Sequence, residues 1–204
     1  MKVSQVSLVK SVLAALIAFT GAEASAQDIR LGAPGYGGTG CPSGSASVTL
    51  SPDSKSLSIL FDQYIVEAGA STGRSIDRKG CNLAIPVQVP NGYSIAVFQV
   101  DYRGFAAIPA GGRGQFAVEY FFAGSRGPRQ TKTFYGPSNQ SYALTDELTA
   151  ESLVWTPCGA STNLRVNTSM LVQSNSRRDQ ALATVDSADV TAGLVYHIQM
   201  RRCY

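Results

Sequence analysis

The sequence predicts an all-β fold: a single antiparallel β-sandwich or jelly-roll-like domain with two disulfides. Short runs in which apolar and polar residues alternate recur along the chain, as expected of strands that bury one face. Proline, glycine, asparagine and aspartate separate these runs, as turn residues do between short strands. The chain also has four cysteines, an even number, behind an export signal. Together these features are typical of exported sandwich or barrel-like domains.

The first 26 residues have the three parts of a cleavable signal peptide. Two lysines precede an apolar run over 11–19, and small residues lead to an Ala-Ser-Ala site at 24–26. The uncharged stretch 11–22 is too short to cross about 30 Å of hydrocarbon, which needs about 20 helical residues. We therefore expect cleavage before Gln27 and a mature chain with no transmembrane segment, either secreted or periplasmic and envelope-associated.

Residues 27–40 are rich in glycine and poor in apolar side chains, which predicts a flexible lead-in. No linker, composition shift or repeat divides residues 41–204, so we expect one β-sandwich domain there. A threonine followed by two acidic residues predicts a short helical turn over 145–152. The predicted strands, in chain order, are 46–50, 56–61, 82–89, 93–102, 115–120, 131–135, 152–156, 164–172, 183–190 and 194–201.

Four cysteines, Cys41, Cys81, Cys158 and Cys203, lie in the mature part of the chain. Behind a signal peptide, an even count predicts two disulfides. Metal binding is the rival interpretation, but it needs close pairs such as Cys-x-x-Cys and the chain has none, so we expect no metal and no other cofactor. Four cysteines allow three pairings. We favour Cys41–Cys81 with Cys158–Cys203, because each closes a loop of about forty residues and the loops do not interlock.

The charge of the chain disfavours a nucleic-acid partner. Formal net charge is +3 for the whole chain and +2 for the mature part, because Lys2, Lys10 and Glu23 lie in the leader. The arginine pairs at 177–178 and 201–202 are isolated, with no basic block of the kind that phosphate binding requires.

A glycine motif over 35–40 matches the dinucleotide-binding pattern G-x-G-x-x-G letter for letter. That pattern has meaning only after a strand and at the start of a helix, where backbone amides meet a pyrophosphate. Here it follows a signal peptide and precedes Cys41 in an all-β chain, so we interpret it as a tether.

His197 is the only histidine, so any Ser-His-Asp or Cys-His mechanism would have to use it. It alternates with Gln199 and Arg201 along a predicted strand, which predicts a solvent-facing side chain. Since all four cysteines are expected in disulfides, no thiol nucleophile remains. We expect no histidine-dependent hydrolase and assign neither catalytic nor binding residues.

Carboxylates remain as a candidate catalytic set, because glycoside hydrolysis needs two acids facing each other across a cleft. The candidates are Asp62, Asp101, Glu119, Asp186 and Asp189. Each also has an ordinary interpretation as a strand end, an outward face or a turn. Asp186 and Asp189 alternatively supply oxygen ligands for Ca²⁺. Asp62 and Glu119 are the pair to test first for hydrolysis.

The tyrosines have two interpretations, as sugar-stacking surface rings or as core residues. Aromatic residues in strands favour the core, and Trp155, close to Cys158, predicts a ring packed on a disulfide as in many sandwiches. The tyrosines in or beside predicted strands are Tyr64, Tyr93, Tyr102, Tyr120, Tyr135 and Tyr142.

Seven landmarks follow one another along nearly the whole mature chain: Gly40-Cys41-Pro42, Leu50-Ser51-Pro52-Asp53 leading to Leu60-Phe61-Asp62-Gln63-Tyr64, Arg78-Lys79-Gly80-Cys81, Tyr102-Arg103-Gly104, Phe134-Tyr135-Gly136-Pro137, Trp155-Thr156-Pro157-Cys158 and Arg202-Cys203. In this order they resemble the secreted family known as domain of unknown function 4360, found in bacteria and fungi. The resemblance implies a small exported protein of uncharacterised role, and it carries no catalytic residue onto this chain.

We expect a non-enzymatic secreted module, either a surface or envelope component or a binder of glycan or protein. The alternatives are a carboxylate-dependent glycan hydrolase and a secreted effector. Two carboxylates roughly 5–10 Å apart in a cleft favour hydrolysis. An exposed aromatic patch without such a pair favours binding.

Overall fold

The alternating segments fold into two antiparallel sheets. The computed structural model describes residues 28–185 and 194–203. In chain order its strands are β1 (Arg30–Leu31), β2 (Gly35–Gly37), β3 (Ala46–Leu50), β4 (Ser56–Phe61), β5 (Ile65–Ala68), β6 (Ile76–Gln88), β7 (Tyr93–Ile108), β8 (Arg113–Phe122), β9 (Arg129–Tyr135), β10 (Ser138–Glu147), β11 (Thr162–Gln173), β12 (Ala181–Val185) and β13 (Leu194–Arg202).

Sheet A has the order β1-β6-β11-β8-β9, with β2 also paired to β6. Sheet B has the order β3-β4-β13-β7-β12-β5, with β10 paired to β7. Strand β7 is the longest of the described strands, at 16 residues, and is long enough to pair with three other strands. It pairs with β10 along one edge, and with β13 followed by β12 along the other. The predicted all-β fold with two antiparallel sheets is confirmed.

The period-two alternation places one face of each strand in a core between the sheets. In β4, Leu57 and Ile59 are completely buried whereas Ser56 and Ser58 are only half-buried. Strand β11 repeats the pattern over its 12 residues. Each fully buried branched aliphatic side chain contributes about 1.5–3 kcal/mol relative to an exposed one, so the alternation favours this pairing register over a one-residue slip.

Aromatic pairs join the two sheets across this core. Tyr102 of β7 packs edge-on against Phe116 of β8, and Tyr196 of β13 packs edge-on against Tyr120 of β8, each with ring centroids 5.5 Å apart. Such pairs contribute about 0.5–1.5 kcal/mol beyond their buried area. Burial raises the pKa of Tyr102, Tyr120 and Tyr196, so all three rings carry neutral phenols.

The tyrosines divide between core and surface. Tyr64, Tyr102, Tyr120 and Tyr142 are buried, whereas the Tyr135 side chain is 74% exposed. Tyr93 is half-buried beneath Arg202.

Trp155 is not a core residue. Its half-buried ring lies under the guanidinium of Arg201, with 3.9 Å between the guanidinium carbon and the ring centroid. The contact that the structure shows for this ring is a cation–π contact.

Both disulfides have the predicted pairing. Cys41–Cys81 ties the N-terminal segment to β6, and Cys158–Cys203 ties the chain before β11 to the end of β13. Their sequence separations are 40 and 45 residues, so in the loop-entropy model each disfavours the unfolded chain by about 4 kcal/mol at most.

The segment predicted as a flexible lead-in carries β1 and β2, both paired with β6. Glycine makes this close approach feasible. Gly38 has φ of 146°, and a Cβ atom there would overlap the carbonyl oxygen of Gly80. The glycine motif therefore lies along a sheet edge, and no helix follows it.

Two local predictions differ from the structure. The region 145–152 was predicted to be a helical turn, but β10 runs through Glu147 and only Ala150–Ser152 form a 3-10 turn. Ten consecutive pairs with β7 outweigh the local capping signal. The predicted strand at 152–156 is absent, although the backbone N–H of Thr156 still donates to the carbonyl of Ile95. The predicted signal peptide lies outside the described residues.

Mild reduction of the native protein is expected to break Cys158–Cys203 first. Thiol–disulfide exchange requires access to a sulfur atom, and Cys158 is exposed whereas Cys41 and Cys81 are completely buried. Stepwise addition of dithiothreitol, alkylation and peptide mapping will therefore label Cys158 and Cys203 before the other pair. Earlier labelling of Cys41 and Cys81 would contradict this order.

Candidate functional site

Strand β7 contains one residue more than its partner β13 requires. His197 pairs with Gln99, but the next residue, Ile198, pairs with Val97, so Phe98 is the extra residue of a β-bulge. The bulge leaves Phe98 38% exposed, although it lies between buried positions of a central strand. The consequence is an aromatic ring presented to solvent from the middle of sheet B.

Asp101 and His197 form a close pair beside this bulge. Nε2 of His197 lies 2.7 Å from Oδ2 of Asp101, and the two side chains are 30% and 23% exposed. Thr145 of β10 donates its hydroxyl to Oδ1 of Asp101 at 2.6 Å, and the amide of Gln99 donates to the same carboxylate at 3.3 Å. His197 was expected to face solvent; its side chain is partly exposed, and the structure also holds its ring against Asp101.

The hydrogen bonds around Asp101 favour its ionised form. Burial is the largest single influence and raises the pKa of Asp101. The hydrogen bonds from Thr145, His197 and Gln99 together outweigh burial, so the pKa of Asp101 lies below its usual value. Asp101 is therefore a carboxylate at neutral pH, fixed in place by three neighbouring strands.

An open groove with a volume of about 460 Å³ adjoins the pair. Phe98 connects the two features, because its ring lines the groove and also lies 6.0 Å, centroid to centroid, from the ring of His197. Exposed apolar surface continues onto Met200, which is 42% exposed. We call this feature the Phe98 groove; its lining residues are Asp28, Asp53, Ser54, Lys55, Phe98, Ile198, Gln199 and Met200.

The polar part of the Phe98 groove comes from three regions of the chain. The β3–β4 turn supplies Asp53 and Lys55, β13 supplies Gln199, and Asp28 precedes β1. The backbone N–H of Ile198 donates to the carbonyl of Lys55, which fixes the turn against β13.

Hydrogen bonds to Asp53 make it an acceptor at neutral pH. The side-chain hydroxyl of Ser51 is the main cause, and the backbone N–H of Lys55 adds to it. Together they lower the pKa of Asp53. The Phe98 groove therefore offers a carboxylate acceptor, an ammonium donor and an amide around an apolar floor.

Asp62 and Glu119, the acids chosen for a hydrolytic pair, are not brought together. Asp62 is exposed in the turn after β4, where its backbone N–H donates to the carbonyl of Ser45. Glu119 lies on the outer face of sheet A and accepts a hydrogen bond from the amide of Asn167 at 3.5 Å. Of the other candidates, Asp101 contacts His197, and Asp186 and Asp189 lie outside the described residues.

Glu119 belongs to a polar row across sheet A. Asn82, Asn167, Glu119 and Arg129 are direct cross-strand partners on β6, β11, β8 and β9. With strands about 4.8 Å apart, these side chains form a line across four strands. They border a depression of about 220 Å³, which we call the sheet A trough; its lining residues are Asn82, Ala117, Val118, Glu119, Arg129, Asn167, Thr168 and Ser169.

In the Asp101–His197 pair, the carboxylate fixes the orientation of the imidazole ring. Within the described residues the polar contact of His197 is Asp101, and no hydroxyl is aligned as a nucleophile on its ring.

Among residues 28–185 and 194–203, no three His, Cys, Asp or Glu side chains are grouped in a way that would hold a metal ion. Over the same part of the chain, no helix has the length and apolar character needed to cross a bilayer.

Phe98 was not among the residues predicted to be functional, although the sequence carries a signal for the bulge. In the sequence, the apolar alternation changes phase between Val97 and Phe98, because Phe98 alternates with Val100 and Tyr102. In the structure, the buried residues Ile95, Val97, Val100 and Tyr102 have spacings of two, three and two. The step of three marks the position at which a strand must contain a bulge to keep the same face buried.

The fold and site define an all-β sandwich protein with two disulfides and an open, partly aromatic groove. A model of the family described as Domain of unknown function (DUF4360) matches residues 27–203, and the chain belongs to that family. An "Uncharacterized secreted protein" of Arthroderma benhamiae is 36% identical over 169 residues, which cover 82% of this chain and 69% of the relative. The family resemblance predicted from the sequence motifs is thus confirmed, and neither description assigns an activity.

Thr145→Val is expected to raise the pKa of Asp101, because it removes a hydrogen-bond donor. The folded pKa lies below the unfolded value of about 3.9, so Asp101 contributes stability above about pH 4 that is lost as pH falls through the folded pKa. An NMR titration of the carboxyl carbon measures the shift. Thr133→Val, at an exposed position on β9, is the control and leaves the titration unchanged. An identical titration in Thr145→Val and wild type would contradict the assignment.

Proposed function

We propose that the mature chain is a non-enzymatic, exported glycan-binding module, and that the Phe98 groove is its binding site. The observation that carries the proposal is the bulge that leaves Phe98 exposed where it lines an open groove. The motifs of the leader and the secreted relative support an extracytoplasmic setting.

The composition of the Phe98 groove fits a saccharide. The C–H face of a pyranose packs on an aromatic ring, and its hydroxyls both donate and accept hydrogen bonds. Phe98 supplies the ring, Asp53 accepts, Lys55 donates, and Gln199 does both. The volume of about 460 Å³ lies within the range of small-molecule sites, about 300–1,000 Å³.

A catalytic alternative rests on one observation. Asp28 and Asp53 both line the Phe98 groove, and two acids in one groove are what glycoside hydrolysis requires. Against this, the hydrogen bonds at Asp53 lower its pKa. An ionised carboxylate suits the nucleophile or base, whereas the general acid needs a raised pKa. The general-acid role would therefore fall to Asp28, which is exposed and lacks the apolar enclosure typical of such an acid.

Phe98→Ala is expected to weaken polysaccharide binding at least about tenfold, or about 1.4 kcal/mol, because it removes the aromatic floor. Co-sedimentation of the mature protein with cellulose, chitin, β-1,3-glucan and mannan particles measures binding. Tyr135→Ala is the matched control, since Tyr135 is a more exposed aromatic residue outside the groove. Equal binding by wild type and Phe98→Ala, or no binding of wild type to any particle, would contradict the proposal.

The same polysaccharides are expected to yield no new reducing ends on prolonged incubation with the wild-type protein. Asp53→Asn tests the acid directly, with Asp62→Asn as a control carboxylate outside the groove. Release of reducing ends by wild type that is lost in Asp53→Asn would replace the binding function with hydrolysis.

A further inference from the structure

We infer that the sheet A trough is a second saccharide-binding site, so that one molecule bridges two polysaccharide chains. This inference rests on the proposed glycan-binding function. It extends that function to a different sheet, since the trough and the Phe98 groove share no lining residue.

The polar row supplies complementary hydrogen-bonding groups at regular spacing. The amides of Asn82 and Asn167 both donate and accept, the carboxylate of Glu119 accepts, and the guanidinium of Arg129 donates. Neighbouring hydroxyls of a saccharide chain present the same mixture of donors and acceptors.

The charges of the trough fit an uncharged ligand. Glu119 and Arg129 are opposite each other across β8 and β9, so the row has no net charge. Arg129 is exposed, and the ion pairs found within the described residues do not include it, so its guanidinium can donate to a ligand. A polyanion would meet Glu119, and a polycation would meet Arg129. A neutral polysaccharide avoids both repulsions.

The floor of the trough departs from what a sheet favours. Ala117 and Ser169 are direct partners two residues along from Glu119 and Asn167, on the same face of the sheet. Strands favour β-branched and aromatic residues at such central positions, because cross-strand side-chain pairs stabilise the sheet. Because Ala117 and Ser169 are small, they make less of this cross-strand contact and leave space for the trough. Local departures of this kind concentrate at binding sites.

The experiment measures agglutination of polysaccharide particles. A single molecule can join two particles only if it binds each of them through a separate site. Sedimentation velocity first establishes the monomer fraction. Cellulose, chitin, β-1,3-glucan and mannan particles are then mixed with wild type and with three variants: Phe98→Ala for the groove, Glu119→Ala for the polar row and Ser169→Val for the floor. Valine is a good strand residue, so Ser169→Val fills the trough without weakening the sheet. Gln115→Ala, on the same strand as Glu119 and outside the trough lining, is the control.

Wild type and Gln115→Ala monomers are expected to agglutinate particles. Each single-site variant still binds but requires at least about tenfold more protein to agglutinate. If Glu119→Ala and Ser169→Val both bind and agglutinate particles as the wild type does, the trough is not a binding site, and the proposal for the Phe98 groove is unaffected. Loss of all binding in the trough variants, with none lost in Phe98→Ala, would support the trough and refute the groove. No wild-type binding to any particle would refute both.

Discussion

Strand β7 sets the constraint on which sheet B depends. Its 16 residues pair with β10 along one edge and with two successive strands, β13 and β12, along the other. The extra residue, Phe98, absorbs the mismatch in register with β13. Because the bulge keeps Val97 and Val100 on the buried face, the strand remains in the core while one aromatic ring points outward.

The same strand organises the polar chemistry beside that ring. Gln99 and Asp101 follow the bulge on the outer face, and β10 and β13 bring Thr145 and His197 to them. The sheet thus fixes the site through backbone pairing, which places polar side chains more firmly than a loop does. The two disulfides act elsewhere, at Cys41–Cys81 on the edge of sheet A and at Cys158–Cys203 at the end of β13.

The sequence was most informative where local pattern and burial agree. Alternation over β4 and β13, and cysteine spacing, predicted the fold class and the disulfide pairing. The pattern failed for β10, whose polar run from Ser138 looks like a turn and a helix start, because only its long-range pairing with β7 makes it a strand.

The candidate site was harder to predict for the same physical reason. The step of three between Val97 and Val100 indicates a bulge, but no local pattern shows that the β3–β4 turn and Asp28 meet at Phe98. Likewise, Glu119 was recognised as an outward carboxylate, whereas its alignment with Asn82, Asn167 and Arg129 depends on the pairing of four strands.

An NMR titration of the mature protein tests whether the bulge at Phe98 creates a saccharide site. Cellohexaose and chitohexaose are the soluble probes, and the ring resonances of Phe98 and the side-chain amide of Gln199 are the reporters. Saturable shifts of both resonances are expected with at least one probe. Saturable shifts confined to residues outside the Phe98 groove would contradict it.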